Sequence, residues 1–311
     1  MRFKYVIITV VLIAASWIGN WMYYEKMKMG EPIFLEHNYE LSGLNGEMFD
    51  IFFLEDRDAD VTVTSVEFPN TFGMQSQLLL NKDTYGHQVL RKVSFTLKSA
   101  EQEMDETDEV DELDETWTID ERWKTFDAQT VHVYYSNGTT KEVNIGRVRV
   151  MPRPSTVEQP FEFSSGGSSS DHSGFQSMTL SSPLVIQSIK SPAADQLDEW
   201  LGISLNITAP FTETDMLQGM PKDFESGTPI KDISLPLELE KGQALRIDHK
   251  FRFPADLTVA AALVPSYIAI HFEGELENGK PFHYSYNLRY QPYFRNSEIR
   301  ELIRLRRAAN E

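Results

Sequence analysis

Apolar residues recur at every second position through most of this chain. Leu201, Ile203, Leu205 and Ile207 alternate with Gly202, Ser204 and Asn206. Ile233, Leu235, Leu237 and Leu239 do the same, as do Tyr284, Tyr286, Leu288 and Tyr290, and Val93, Phe95 and Leu97. A period of two turns one face of an extended strand towards a core and the other towards water, the pattern of antiparallel sheets. Two runs slip phase. Val61 and Val63 give way to Val66 and Phe68 at Ser65, and Val143 and Ile145 give way to Val148 and Val150 across Gly146. Each slip predicts a β-bulge. Helical spacing is nearly absent between residues 31 and 295.

The expected fold is therefore all-β: two tandem antiparallel β-sandwich (immunoglobulin-like) domains after an N-terminal transmembrane helix, with a short C-terminal helix. The length of 311 residues suits two domains, and 41% apolar with 12% aromatic residues suffices for two cores. Residues 31–151 form the first domain and residues 175–295 the second. Between them, 152–174 carries three prolines and then Ser164-Ser165-Gly166-Gly167-Ser168-Ser169-Ser170, which reads as a flexible linker. The alternative is a long loop within one larger domain.

Each half closes with a hairpin around Asn-Gly, at Asn137-Gly138 and Asn278-Gly279. A two-residue loop at the second would scramble the faces. A three-residue loop, Glu277-Asn278-Gly279, pairs Ile268 with Leu288, Ile270 with Tyr286 and Phe272 with Tyr284, keeping one apolar face. The same choice in the first aligns Val131 with Val143. A proline, Pro152 or Pro292, follows each hairpin, so the halves read as a duplication of one β-domain.

Residues 1–30 supply the anchor and juxtamembrane segment. No charge interrupts Tyr5 to Tyr24, and twenty helical residues span about 30 Å, the hydrocarbon thickness of a bilayer. Trp17, Trp21, Tyr23 and Tyr24 gather at the far end, where amphipathic rings favour the interface. A cleaved signal peptide is the competing reading, with Ala14 and Ser16 as its small residues, but apolar residues continue directly beyond. Arg2 and Lys4 balance Lys26 and Lys28. The short leading segment and the free amine favour a cytoplasmic N-terminus with the bulk of the chain extracytoplasmic. Four leading residues form no signalling domain, so a message across the membrane would require a partner.

The chain has 47 acids against 29 bases, a net charge of −18, which argues against a nucleic-acid partner. Twelve of those acids, with no base among them, fall in an acidic insertion, 101–121. There Val110, Leu113 and Trp117 give a small apolar stripe for binding a basic partner; a solvated loop is the plainer reading. The C-terminal segment 296–311 is instead basic. Ser297 caps a predicted helix with Ile299, Leu302 and Ile303 on one face and Arg300, Arg304 and Arg307 on another. It could dock on the acidic strip or rest on anionic headgroups, although its apolar stripe is short for membrane binding.

Catalytic signatures are scarce. No Gly-x-Ser-x-Gly, His-Glu-x-x-His, Walker loop or Gly-x-Gly-x-x-Gly occurs. No cysteine is present, which removes disulfides, thiol nucleophiles and cysteine-ligated metals. The seven histidines are scattered; His132 and His271, midway along strands, read as surface residues. Asp56, Asp58 and Asp60 are the candidate metal ligands, because carboxylates at alternate positions can wrap calcium, with Glu67 at the spacing of a twelfth ligand. Val61 stands where an EF-hand loop needs glycine, and the plainer alternative is a polar hairpin turn. No other cofactor is indicated. Asn137-Gly138-Thr139 and Asn206-Ile207-Thr208 fit the glycosylation pattern.

These features point to a single-pass, membrane-anchored extracytoplasmic module that binds a protein or surface polymer without catalysis. Two alternatives remain: an extracytoplasmic, carbohydrate-active hydrolase with carboxylates drawn from distant loops, and an accessory or regulatory subunit of a membrane complex.

Overall fold

A computed structural model of the chain describes residues 2–41, 47–69, 74–97, 126–150, 160–169, 171–191, 200–208, 227–252, 264–292 and 294–310. The acidic insertion 101–121, with its Val110, Leu113 and Trp117, and residues 152–159 of the predicted linker lie outside them. Helix α1 covers Arg2–Met27. Then come β1 (Ile33–Phe34), β2 (His37–Leu41), β3 (Met48–Asp56), β4 (Val63–Glu67), β5 (Met74–Tyr85) and β6 (Gln88–Leu97). They are followed by β7 (Asp127–Tyr135), β8 (Thr140–Val150), β9 (Phe161–Ser168), β10 (Ser173–Leu180), β11 (Leu184–Lys190) and β12 (Leu201–Thr208). The last strands are β13 (Thr228–Pro229), β14 (Leu237–Leu239), β15 (Ala244–Phe251), β16 (Ser266–Leu276) and β17 (Pro281–Tyr290). Helix α2 (Asn296–Asn310) ends the described chain.

The chain is all-β apart from its terminal helices, as the alternation predicts. In a first sandwich, β1-β3-β6-β5 faces β2-β8-β7-β4. Phe49, Ile51, Phe53, Val93 and Phe95 meet Tyr39, Val131, Val133, Ile145 and Val148 between them. In a second, β13-β12-β15-β10-β9 faces β14-β11-β16-β17, with Leu205, Leu245 and Ile247 against Ile186, Ile270, Phe272 and Leu288. Each fully buried aliphatic or aromatic side chain of this kind contributes about 1.5–3 kcal/mol.

Both hairpins take the expected register. Ile268 lies opposite Leu288, Ile270 opposite Tyr286 and Phe272 opposite Tyr284. The Gly279 N–H donates to Leu276 O at 2.8 Å with Gly279 at φ 76°, closing the three-residue loop. Val131 pairs with Val143. The ladder slips between Val63 and Ser65 and again opposite Gly146, where the bulges were expected. Gly146 has a specific cause: at φ 83°, a Cβ there would sit 2.3 Å from His37 O. The close approach of β2 to β8 therefore requires glycine.

Three elements differ from the sequence reading. First, β2 runs parallel to both neighbours, β8 and β16, within otherwise antiparallel sheets. It is buried at His37, Tyr39, Glu40 and Leu41. Strands flanked in parallel are buried on both faces, so this one shows no alternation to read. Second, the serine–glycine run at 164–168 is not coil but part of β9, an edge strand laddered to β10 with Gly167 under the Phe175 ring. Backbone pairing to a preformed neighbour holds it, a signal absent from its own composition. Third, the expected strand from Ile233 to Leu239 reduces to Leu237–Leu239, because Pro236 offers no N–H to the ladder.

Strand β2 also joins the sandwiches into one eight-stranded sheet among the described residues. The Glu40 carboxylate accepts a hydrogen bond from Arg149 and another from the Ala269 N–H at 3.3 Å. Tyr39 stacks on Tyr267 with ring centroids 4.2 Å apart, and the Arg289 guanidinium caps the pair 4.7 Å above Tyr267.

Helix α2 leaves the second sandwich and returns to the first. Ile299, Leu302, Ile303 and Phe294 bury against Phe52, Leu54 and Leu90 on the outer side of β3 and β6, with Met29 and Ile33 beside them. Its first turn is closed by Glu298, whose carboxylate accepts the Arg295 N–H at 2.8 Å, rather than by Ser297.

Candidate membrane-proximal collar

Helix α1 stands clear of the body. Its segment Tyr5–Met27, 23 residues with mean hydropathy 1.7, is long and apolar enough to span a membrane or to act as a signal sequence, and it is exposed from Tyr5 to Tyr23. The helix meets the first sandwich at the end of β3 and the start of β6, where Asp56 lies opposite Gln88. Both side chains are buried. Gln88 Nε2 donates to Met27 O at 2.9 Å, capping one of the carbonyls a helix end leaves open, and to Asp56 Oδ1 at 3.2 Å. Asp56 Oδ2 accepts the N–H groups of Met29, at 2.8 Å, and Gly30, at 3.2 Å. Gly30 holds φ 77°, the left-handed conformation that suits a chain turning off a helix end.

Two turns complete the collar. His87 packs edge-on against Tyr24 at 5.1 Å and tilts towards Tyr23 at 6.2 Å. The Arg57 N–H donates to His87 O at 2.8 Å, tying the β3–β4 turn to the β5–β6 turn. Glu31, just past the exit, pairs with Lys141 at 2.6 Å. Lys28 lies 5.0 Å above the Tyr24 ring and 3.2 Å from Glu25. The exit from α1 is thus fixed by side chains from β3, β6 and β8.

This arrangement accounts for the predicted metal ligands. Asp56 turns inward and uses both oxygens on the collar, whereas Asp58 and Asp60 are exposed in the turn that follows. Among the described residues no group of three or more histidines or carboxylates is placed to hold a metal ion. The structure does not bring Asp56, Asp58 and Asp60 together as a ligand set; they form part of a polar turn.

The histidines divide. His132 is half-buried on β7 between Glu67 and Glu142. His271 is buried rather than on the surface. Its Nδ1 lies 2.9 Å from Ser285 Oγ, and His283 Nε2 lies 3.0 Å from the same oxygen. Glu273 stands 3.9 Å from His283 Nδ1 and accepts from Ser188 at 2.9 Å and Lys190 at 2.6 Å. The Lys190 hydrogen bond, with help from Ser188, holds the Glu273 carboxyl below its usual range. The sequence contained the clue to this array: the register pairing Ile268 with Leu288 also sets His271 against Ser285 and Glu273 against His283. His37, counted among the scattered histidines, spans the first sandwich. Its Nδ1–H donates to Ile145 O at 3.1 Å and its Nε2 accepts the Phe52 N–H at 2.9 Å. Burial pushes its pKa down to about 4. Of the glycosylation-pattern asparagines, Asn137 accepts from Thr139 N–H and Oγ1 within its turn, and Asn206 lies opposite Arg246 in the ladder.

No protein-family description matches the chain, and no curated protein matches it. Among solved structures it is similar to the Enterococcus faecalis MSCRAMM ACE, which binds its ligands by the collagen Hug model: 10% identity, TM-score 0.25, over 85% of this chain and 95% of that one. It is also similar to titin domains Z1Z2 in complex with telethonin, at 9% identity and TM-score 0.19, over 85% and 98%. A conserved domain protein from Bacillus anthracis matches at 6% identity and TM-score 0.17, over 82% and 84%. With scores this low, the assignment as all-β rests on the sheets described above.

Proposed function

We propose that this chain is a single-pass membrane protein whose sandwiches form an extracytoplasmic binding module for a protein or surface polymer. One observation carries the reading: the apolar residues of α1 from Tyr5 to Met22 are all exposed, while its end is gripped by Asp56 and Gln88. Twenty-three helical residues reach about 35 Å, enough for the hydrocarbon layer. In this reading Arg2 and Lys4 lie on the cytoplasmic side and the sandwiches outside.

The test is protease shaving of intact cells. The reading expects loss of both sandwiches and a membrane-retained stub containing α1. Full protection in unbroken cells, or a shed form that begins beyond Met27, overturns it.

A hydrolase reading draws on Ser285, His283 and Glu273, which stand in the order of a nucleophile, base and orienting carboxylate. The 3.9 Å gap to Glu273 and the 6% exposure of Ser285 weigh against it. A fluorophosphonate probe that labels Ser285 would favour the enzyme.

A further inference from the structure

Resting on the membrane-anchored reading, we propose that the exposed face of α2 lies against anionic lipid headgroups beside α1, a second and electrostatic contact with the bilayer. The apolar stripe of α2 is consumed in the fold, since Ile299, Leu302 and Ile303 are buried in one cluster with Met29 and Ile33. Those two residues follow the end of α1 at Met27 by two and six positions. An extended chain covers at most about 3.6 Å per residue, so this cluster starts within roughly 7–22 Å of the helix end. Phe294, which leads into α2, also touches Tyr85 at 6.0 Å, next to the turn that holds His87 against Tyr24. The C-terminal helix therefore sits at the membrane pole of the first sandwich.

The face left over is basic. Arg295, Arg300 and Arg304 are exposed together with Leu305, and Arg306 and Arg307 follow in the sequence. Five arginines against two glutamates in thirteen residues run counter to a chain of net charge −18. The two glutamates are engaged locally, Glu298 on the Arg295 N–H and Glu301 on Arg304 Nε at 2.9 Å. Guanidinium groups pair with phosphate through parallel hydrogen bonds, and each basic residue near an anionic leaflet adds to the attraction. With α1 already in the bilayer, the contact forms at high effective concentration and needs no insertion. Asp58 and Asp60, exposed in the turn after β3, would repel the same headgroups.

The absence of cysteine makes the test direct. Leu305→Cys gives a single thiol for a fluorophore, and Asn278→Cys at the far hairpin gives the control. The full chain is reconstituted in nanodiscs of phosphatidylcholine, with or without phosphatidylglycerol, carrying a headgroup-attached quencher. The proposal expects the label at 305 to be quenched well beyond the label at 278 in anionic discs only. High salt should abolish the difference, and Arg300→Glu with Arg304→Glu should lower the headgroup-bound fraction roughly tenfold or more. Quenching at 305 that matches 278, or that ignores lipid charge and the double reversal, overturns the proposal. Flotation of the same protein with neutral liposomes separates the two readings. Protein that floats without quenching at 305 loses the α2 contact alone, and protein that does not float loses the anchor as well.

Discussion

The Phe52 amide N–H donates to His37 Nε2 at 2.9 Å, so a histidine on one sheet of the first sandwich accepts a backbone bond from the other. Protonation would abolish that acceptor. Burial holds the pKa of His37 at about 4, and His249, half-buried in the second sandwich with Nδ1 3.0 Å from the Tyr286 hydroxyl, is likewise lowered to about 4 by desolvation.

Both histidines have folded values below the unfolded value of about 6.5, so the stability they support is complete above that pH. It falls as pH drops from about 6.5 to about 4, where the unfolded chain binds protons that the fold refuses. His37 should account for a loss on the order of 3 kcal/mol across that window. Denaturant midpoints measured between pH 7.5 and 4 check this; a flat profile there would contradict the neutral histidines.

Asp56→Ala should free the exit of α1. It removes the acceptor for Met29, Gly30 and Gln88 and should cost about 2–3 kcal/mol. Faster hydrogen exchange at Met29 and Gly30 is the direct reading. Asp58→Ala, in contrast, should leave the melting temperature unchanged with or without calcium. A calcium-induced rise that this variant loses would restore Asp58 as a ligand.

Gly146→Ala places a methyl group 2.3 Å from His37 O at φ 83°. Strain and overlap together should cost more than about 2 kcal/mol. Gly138→Ala has φ 80° with nothing within 4 Å and should cost only about 1 kcal/mol. Chemical denaturation of the pair checks the contrast, and equal losses would remove the β2–β8 contact as its cause.

Glu40→Ala strips the seam between the sandwiches of its shared acceptor, leaving Arg149 and the Ala269 N–H without it. A single thermal transition in the parent should split into two in the variant. Calorimetry reads this directly, and an unsplit transition would show that the stack of Tyr39 on Tyr267 and the return of α2 suffice to couple them.

The alternation, the bulges and both hairpin registers were legible because each strand there has one buried and one wet face. Strand β2 was not. His37, Tyr39, Glu40 and Leu41 are buried on both sides by strands more than a hundred residues away, and short polar-rich windows carry no trace of that. Asp56 illustrates the same limit at the candidate site. Its spacing from Asp58 and Asp60 suggested a cation, but its partners are backbone N–H groups 26 and 27 residues upstream and a glutamine 32 residues downstream. Local pattern identified a carboxylate worth attention and could not say which way it faced.

The parallel lie of β2 beside β16 sets how the molecule bears a load. β2 is held from its N-terminal end by the collar, and β16 runs the same way to the hairpin at Asn278. A pull on that hairpin against α1 would slide the two strands along each other rather than peel them apart. The bonds at Asn38, Tyr39 and Glu40 would then take tension together, so the seam resists in shear rather than one bond at a time.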